Sequence, residues 1–134
     1  MSNKLNSSNI FFKNNVPLIK LVDEINKSDV CLGIFGSTEK TQMVIPNKIY
    51  ECIACRKLVI TANTKAINEL FNEKDIYLIQ TANAGFLSEA ILMFKNNPTI
   101  SSRFIDSSYK KFTENATPII LGGQLINLIK ELIK

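Results

Sequence analysis

Three short apolar runs, each followed by residues with helical spacing, restrict what this chain can fold into more than any other feature. They lie at 30–35 (VCLGIF), 58–61 (LVIT) and 75–79 (DIYLI). The first is apolar throughout, as expected of a strand covered on both faces of a parallel sheet. Before and between the runs, apolar residues recur at helical intervals. Leu18, Leu21, Val22 and Ile25 follow Pro17, which suits a first helical position. Lys20 and Glu24 form an i,i+4 pair on that helix's polar face. Pro46 can start a helix carrying Ile49, Cys52 and Ile53 inward, and a short helix is expected around 66–71. Asn9, Ile10, Phe11 and Phe12 read as a further short strand, which makes about four. Such alternation implies right-handed βαβ crossovers and a parallel sheet.

Beyond residue 79 the pattern is helical only. Ala84, Leu87, Ile91 and Phe94 mark one apolar stripe. Pro98 starts a second helix with Ile105, Tyr109 and Phe112 inward, and Thr117-Pro118 breaks it. A last helix is expected after Gly122-Gly123, burying Leu125, Leu128, Ile129 and Leu132. The fold class this predicts is α/β: a partial Rossmann-like parallel sheet with flanking helices and C-terminal helices. Residues 1–8 are polar and expected to fray, leaving 9–134 as one domain.

Composition removes several function classes. With 46% hydrophobic and 21% charged residues, the 134-residue chain reads as globular and large enough to bury a core without staples. The net charge of +4 comes from lysines spread along the chain, with Lys110-Lys111 the nearest thing to a cluster. A nucleic-acid partner calls for a denser basic patch; the excess suits solvated surface, with mild attraction to anionic ligands or peripheral association with anionic lipid. No apolar run approaches the ~20 residues of a transmembrane segment. Three cysteines, no histidine and an N-terminus without an apolar targeting core point to a reducing, cytoplasmic compartment. The lack of histidine also removes the commonest general base and metal ligand.

In open parallel sheets, ligands bind beyond the carboxyl ends of the strands. Three loops qualify, at 13–16, 36–46 and 62–65. The second is the longest and leads into the helix at Pro46-Asn47-Lys48. A helix N-terminus offers free N–H groups and partial positive charge to a phosphate, and Lys48 adds a full charge. One turn on, Glu51 can accept two hydrogen bonds from vicinal ribose hydroxyls. On spacing alone, Lys48 and Glu51 are equally a plain i,i+3 surface pair.

The stretch 44–61, VIPNKIYECIACRKLVIT, resembles the donor-site motif of the large retaining GT-B glycosyltransferase family (glycosyltransferase group 1, family 4-like). In that family a phosphate-facing loop leads into a helix bearing a Glu, then an Ala, a short turn and a buried strand. Upstream, Val16-Pro17 and Ser28-Asp29-Val30 match the segment before the motif; downstream, 86–95 and Asn97-Pro98 resemble the closing helices. The resemblance spans roughly 9–134 and is most specific at 44–61. It implies that Glu51 binds the ribose, that Pro46, Asn47 and Lys48 line the diphosphate, that the Val16 backbone touches the base, and that Gly36 and Ser37 lie near the donor sugar. It implies transfer from a nucleoside-diphosphate sugar to a glycan or lipid acceptor, with no cofactor and no metal.

The sequence departs from that family in two places. Many members carry another Glu eight positions before the ribose Glu, where this chain has Met43; members with a Lys three before the Glu, like Lys48, often lack it. Arg56 stands where the family usually has Gly, and at a helix C-terminus that costs about 1 kcal/mol. The resemblance also leaves out the acceptor domain and the donor domain's first two strands, which bring an Arg and a Lys to the diphosphate. In the order 3-2-1-4-5-6 the strand at 9–12 would be third and that at 30–35 fourth, with two absent strands between them. Taken alone, the 134 residues are therefore expected to transfer no sugar and to self-associate or pair with a chain carrying the missing half. The alternative is a non-catalytic nucleotide-binding or structural α/β module.

Cys52-x-x-Cys55 invites a redox or zinc reading. A redox pair wants its first Cys at a helix N-terminus, whereas Cys52 lies inside the expected helix; a zinc site needs four ligands. Cys52 reads as a small core hydrophobe. Elemental analysis of the purified protein should accordingly find no stoichiometric zinc, and peptide mapping no bridge between Cys52 and Cys55.

Overall fold

The computed structural model describes residues 9–133; the fraying expected of residues 1–8 lies outside them. Among the described residues the order is α1 (Leu18–Asn26), β1 (Val30–Leu32), α2 (Glu39–Gln42), α3 (Asn47–Ala54), β2 (Leu58–Ala62), α4 (Ile67–Leu70), β3 (Tyr77–Ile79), α5 (Ala84–Asn96), α6 (Pro98–Asn115) and α7 (Pro118–Leu132). The sheet is parallel, in the order β1-β2-β3, with Cys31 opposite Val59 and Thr61 opposite Leu78. The ladder runs past the formal end of β1: Gly33 N–H donates to Ile60 O at 2.8 Å, and Ala62 N–H to Ile34 O at 2.9 Å.

All five residues of β2 are buried. Their alternation sends Val59 to one face, against Ile49, Cys52 and Ile53 of α3, Ile25 of α1, and Ile67 and Phe71. Leu58 and Ile60 go to the other face, against Ala90 and Phe94 of α5. Tyr77, Phe94 and Phe104 close that second core edge-to-face, with ring centroids 4.9–5.8 Å apart. Helix α6 serves both cores, giving Phe104 and Ile105 to one and Tyr109 and Phe112 to the other.

Five local expectations are corrected. The strand at 9–12 does not form: 9–16 is irregular, with Phe11 83% and Phe12 80% exposed. A strand needs a neighbour to complete its ladder, and none lies beside this segment, so among the described residues the sheet has three strands and not four. The acidic residue of α1, Glu24, pairs with Lys13 and Lys27 and not with Lys20. Those two ammonium groups hold its carboxyl down at about 2. On α5 Ala90 and Phe94 are buried and Leu87 partly so, while Ala84 and Ile91 are exposed. Helix α7 starts at Pro118, not after Gly123, because Thr117 caps it by accepting from Ile120 N–H at 3.4 Å and proline fits the first turn. Two glycines weaken a helix but do not break it. Leu125, Leu128, Ile129 and Leu132 of α7, expected inward, are 44–78% exposed.

The glycines separate by environment. A Cβ on Gly33 would stand 2.5 Å from Thr61 Cβ and closer still to its Oγ1, where β1 and β2 approach; one on Gly122 would meet nothing within 4 Å. Gly33→Ala should therefore destabilise the fold by about 1–3 kcal/mol. Gly122→Ala, inside a helix, should stabilise it by roughly 0.5–1 kcal/mol. Denaturant melts of the two variants check the opposite signs.

Candidate functional site

Helix α3 is held at a fixed height beside the sheet. Ile49, Cys52 and Ile53 face the core, and α3 runs antiparallel to β1 and β2, so its N-terminus stands at the carboxyl edge of the strands. Pro46 precedes it in extended conformation and no side chain caps it. The N–H groups of Asn47 and Lys48 are thus open to a ligand. Both residues are exposed and Glu51 is half-buried. Among the described residues neither Lys48 nor Glu51 takes part in an ion pair, so the i,i+3 surface pair does not form.

A groove of about 420 Å³ runs down this flank of α3. Asn47, Tyr50, Glu51 and Ala54 form one wall; Phe112 of α6 with Pro118 and Leu121 of α7 form the other. Tyr50 packs on Phe71 and Phe112 at 6.5 and 6.3 Å between ring centroids. Burial, aided by the Glu69 carboxylate, pushes its phenol above the ordinary range, so it stays neutral. The apolar wall escaped sequence reasoning because its residues lie some 60 positions from α3; only the inward position of Phe112 hinted at it.

The neighbouring loop is built on hydroxyls. Thr38 Oγ1 accepts from Thr41 N–H at 3.4 Å and caps the single turn of α2. Thr41 Oγ1 shares its proton between the carbonyls of Thr38 (2.7 Å) and Gly36 (2.9 Å). This latch leaves Gly36 and Ser37 exposed at the carboxyl edge. Ala66 N–H donates to Gln42 O at 3.0 Å and Ala82 N–H to Phe35 O at 2.7 Å, so the loops after all three strands are tied together. Val16 is half-buried just ahead of α1; it does not line the groove, and no hydrogen bond among the described residues joins it to α3. Met43, where many of the resembling proteins carry Glu, is 72% exposed.

A larger groove, about 760 Å³, opens at the opposite edge between Ser28–Val30 and the α5–α6 corner and holds none of the candidate residues. Among the described residues, no three His, Cys, Asp or Glu side chains are grouped to hold a metal ion, and no helix is long and apolar enough to cross a membrane.

No protein-family profile matches the chain, and no curated protein matches it. Among solved structures it is similar to the C-terminal domain of a glycosyl transferase group 1 family protein (LpcC) from Francisella tularensis, with TM-score 0.64 and 14% identity. The likeness covers 87% of this chain and 58% of that one, so the chain spans little more than half the length of its structural neighbour. The fold is thereby defined: a GT-B-like, Rossmann-like α/β domain, as in a glycosyltransferase C-terminal domain.

The far end of α3 is also fixed. Arg56 N–H donates to Ile53 O at 2.9 Å and Lys57 N–H to Cys52 O at 3.0 Å, a Schellman ending. It places Arg56 at φ 53°, the left-handed region. The Arg56 guanidinium lies 3.9 Å over the Tyr109 ring and 3.4 Å from Asp106. Relief of the backbone cost, about 1 kcal/mol, and loss of the ring contact, about 0.5–1 kcal/mol, nearly cancel. Arg56→Gly should therefore leave the unfolding free energy within about 1 kcal/mol of wild type, whereas Arg56→Ala should lower it, because it keeps the strain and loses the contact.

Proposed function

We propose that the chain is the donor-binding part of a glycosyltransferase, taking a nucleoside-diphosphate sugar at the N-terminus of α3. The observation that carries this reading is the open helix end with Lys48 and, one turn along, Glu51, neither of which is in an ion pair among the described residues. In this reading the diphosphate takes the N–H groups of Asn47 and Lys48 and the Lys48 ammonium. The vicinal ribose hydroxyls donate to Glu51. Four residues of helix rise about 6 Å, the separation expected between a phosphate and the ribose diol attached to it. Pro46 keeps the approach to the helix end extended, and Gly36 and Ser37, exposed by the Thr41 latch, stand where the sugar projects. The Val16 backbone is assigned to the base on the family resemblance alone.

The likeness to a glycosyltransferase C-terminal domain supports the class; the sugar-transfer activity, a glycan or lipid acceptor and a role in polysaccharide biosynthesis are parts of the proposal. The acceptor site would come from a second domain or a partner chain, and a cytoplasmic setting suits a nucleotide-sugar pool. Transfer develops negative charge on the leaving diphosphate; Lys48 and the α3 N-terminus would carry part of its neutralisation.

Calorimetric titration with a panel of nucleoside diphosphates tests the reading. Wild type should bind at least one of them. Glu51→Ala should weaken that binding by about 1–3 kcal/mol, the scale of a charged hydrogen-bonding group. Equal affinity for wild type and mutant would remove Glu51 from the site.

A further inference from the structure

Among the described helices of two turns or more, α7 alone has no buried residue. Its first turn meets the domain, where Pro118 and Leu121 line the groove opposite α3, but from Gly123 to Ile133 every residue is exposed. At 3.6 residues per turn, Leu121, Leu125, Leu128 and Leu132 fall in one stripe along the helix. Ile119, Ile126, Ile129 and Ile133 fall beside that stripe, on the same half of the circumference. These aliphatic side chains are 44–86% exposed.

A helix so placed does not support itself. Isolated helices of about 12–15 residues are marginal in water even when rich in alanine. Helix α7 has 15 residues, and two of them are the helix-weakening Gly122 and Gly123. Its stability must come from packing on the apolar half, and beyond the first turn the described residues of its own chain supply none. The area available suits a protein partner. A standard contact takes about 800 Å² from each chain, and in homodimers about 65% of it is apolar, a need of about 500 Å² of apolar surface per chain. At roughly 100 Å² for a fully exposed aliphatic side chain, the exposed fractions along α7 supply about 500 Å². A lipid surface fits less well. Among the described residues the other half of α7 carries one cation and one anion, Lys130 and Glu131, whereas interfacial helices present a strongly cationic face to anionic lipid.

We propose that α7 is a self-association helix, its apolar half covered by α7 of a second copy of this chain. The same stripe stands in the same place on both copies, so two copies related by a two-fold axis cover each other and the contact closes. The leucines form the seam and the isoleucines its flank. The joint lies on α7 and not on the open edge of the sheet, and it does not depend on the nucleotide reading.

Sedimentation of the full chain over about a hundredfold range of concentration, up to about 100 µM, tests this. Wild type should run as more than one chain at the upper end and dissociate on dilution. Leu125→Glu/Leu128→Glu should be monomeric throughout, with association weakened at least about tenfold. Both leucines are exposed in the single chain, so the α/β core should keep its cooperative melting transition in that variant. Phe11→Ser/Phe12→Ser removes equally exposed apolar surface elsewhere and should associate as wild type does. A wild type that is monomeric at every concentration would overturn the proposal. So would an α7 variant as associated as wild type, or loss of association in the Phe11/Phe12 variant alone. Wild type should also stay in the supernatant with phosphatidylserine vesicles; binding to them that the α7 variant loses would assign the helix to a lipid surface and overturn the pairing.

Discussion

The packing of β2 on both faces and both edges sets the rest of the molecule. Every one of its five residues is buried, and among the described residues it alone pairs with two strands. Because the pairing is parallel, each neighbour must return along a helix, and those helices must lie on the faces that Val59, Leu58 and Ile60 present. Helix α3 has little freedom left: its inward face is spoken for by Ile49, Cys52 and Ile53, and its N-terminus must stand at the carboxyl edge. The close approach of Gly33 to Thr61 belongs to the same constraint. The Thr61 hydroxyl bonds the backbone of Ile34 through both N–H (3.2 Å) and C=O (3.3 Å), occupying the space a side chain at 33 would need.

How much was legible in the sequence follows from which interactions are local. The three strands, the starts of α1, α3 and α6, and the Thr117-Pro118 break were readable, because apolar runs and proline positions act within a few residues. The helix around α3 was readable from the 44–61 stretch, including the strained Arg56, whose left-handed φ is the conformation a glycine would supply. What failed was inference about partners. The apolar triplet Ile10, Phe11, Phe12 has strand composition, but a strand is a property of a pair, and no strand lies beside it among the described residues. Leu125 and Leu128 have helical spacing and do sit on a helix, yet that spacing names a face without naming what covers it. The Glu24 pairing was missed for a related reason. Lys13, eleven residues away, reaches Glu24 as readily as a helical neighbour, and only the course of the chain between them decides this.

The candidate site was half legible. Its polar members, Asn47, Lys48 and Glu51, sit on one short helix, so their spacing could be read directly. Its apolar wall is tertiary: Phe112 reaches α3 because α6 packs antiparallel to it, with Arg56 on Tyr109 at one end and Tyr50 on Phe112 at the other. The hydroxyl latch at Thr41 is intermediate, a local turn whose effect on Gly36 appears only when the loop is closed by Ala66 and Gln42.

At the proposed site the two charges would impose a direction on any ligand. Lys48 and Glu51 are a turn apart, opposite in sign, and each without an ionic partner among the described residues. An anion placed at the helix end gains from the open N–H groups and from the ammonium; moved one turn down the flank, it meets a carboxylate and loses both. A hydroxyl-bearing group has the reverse preference, since Glu51 accepts and offers no proton. A ligand with negative charge at one end and paired hydroxyls about 6 Å away satisfies both positions in one orientation only. A free phosphate satisfies one, and a neutral sugar only the other. On the proposed reading, selectivity for a molecule carrying both features would need no recognition element beyond two turns of one helix whose position β2 has already fixed.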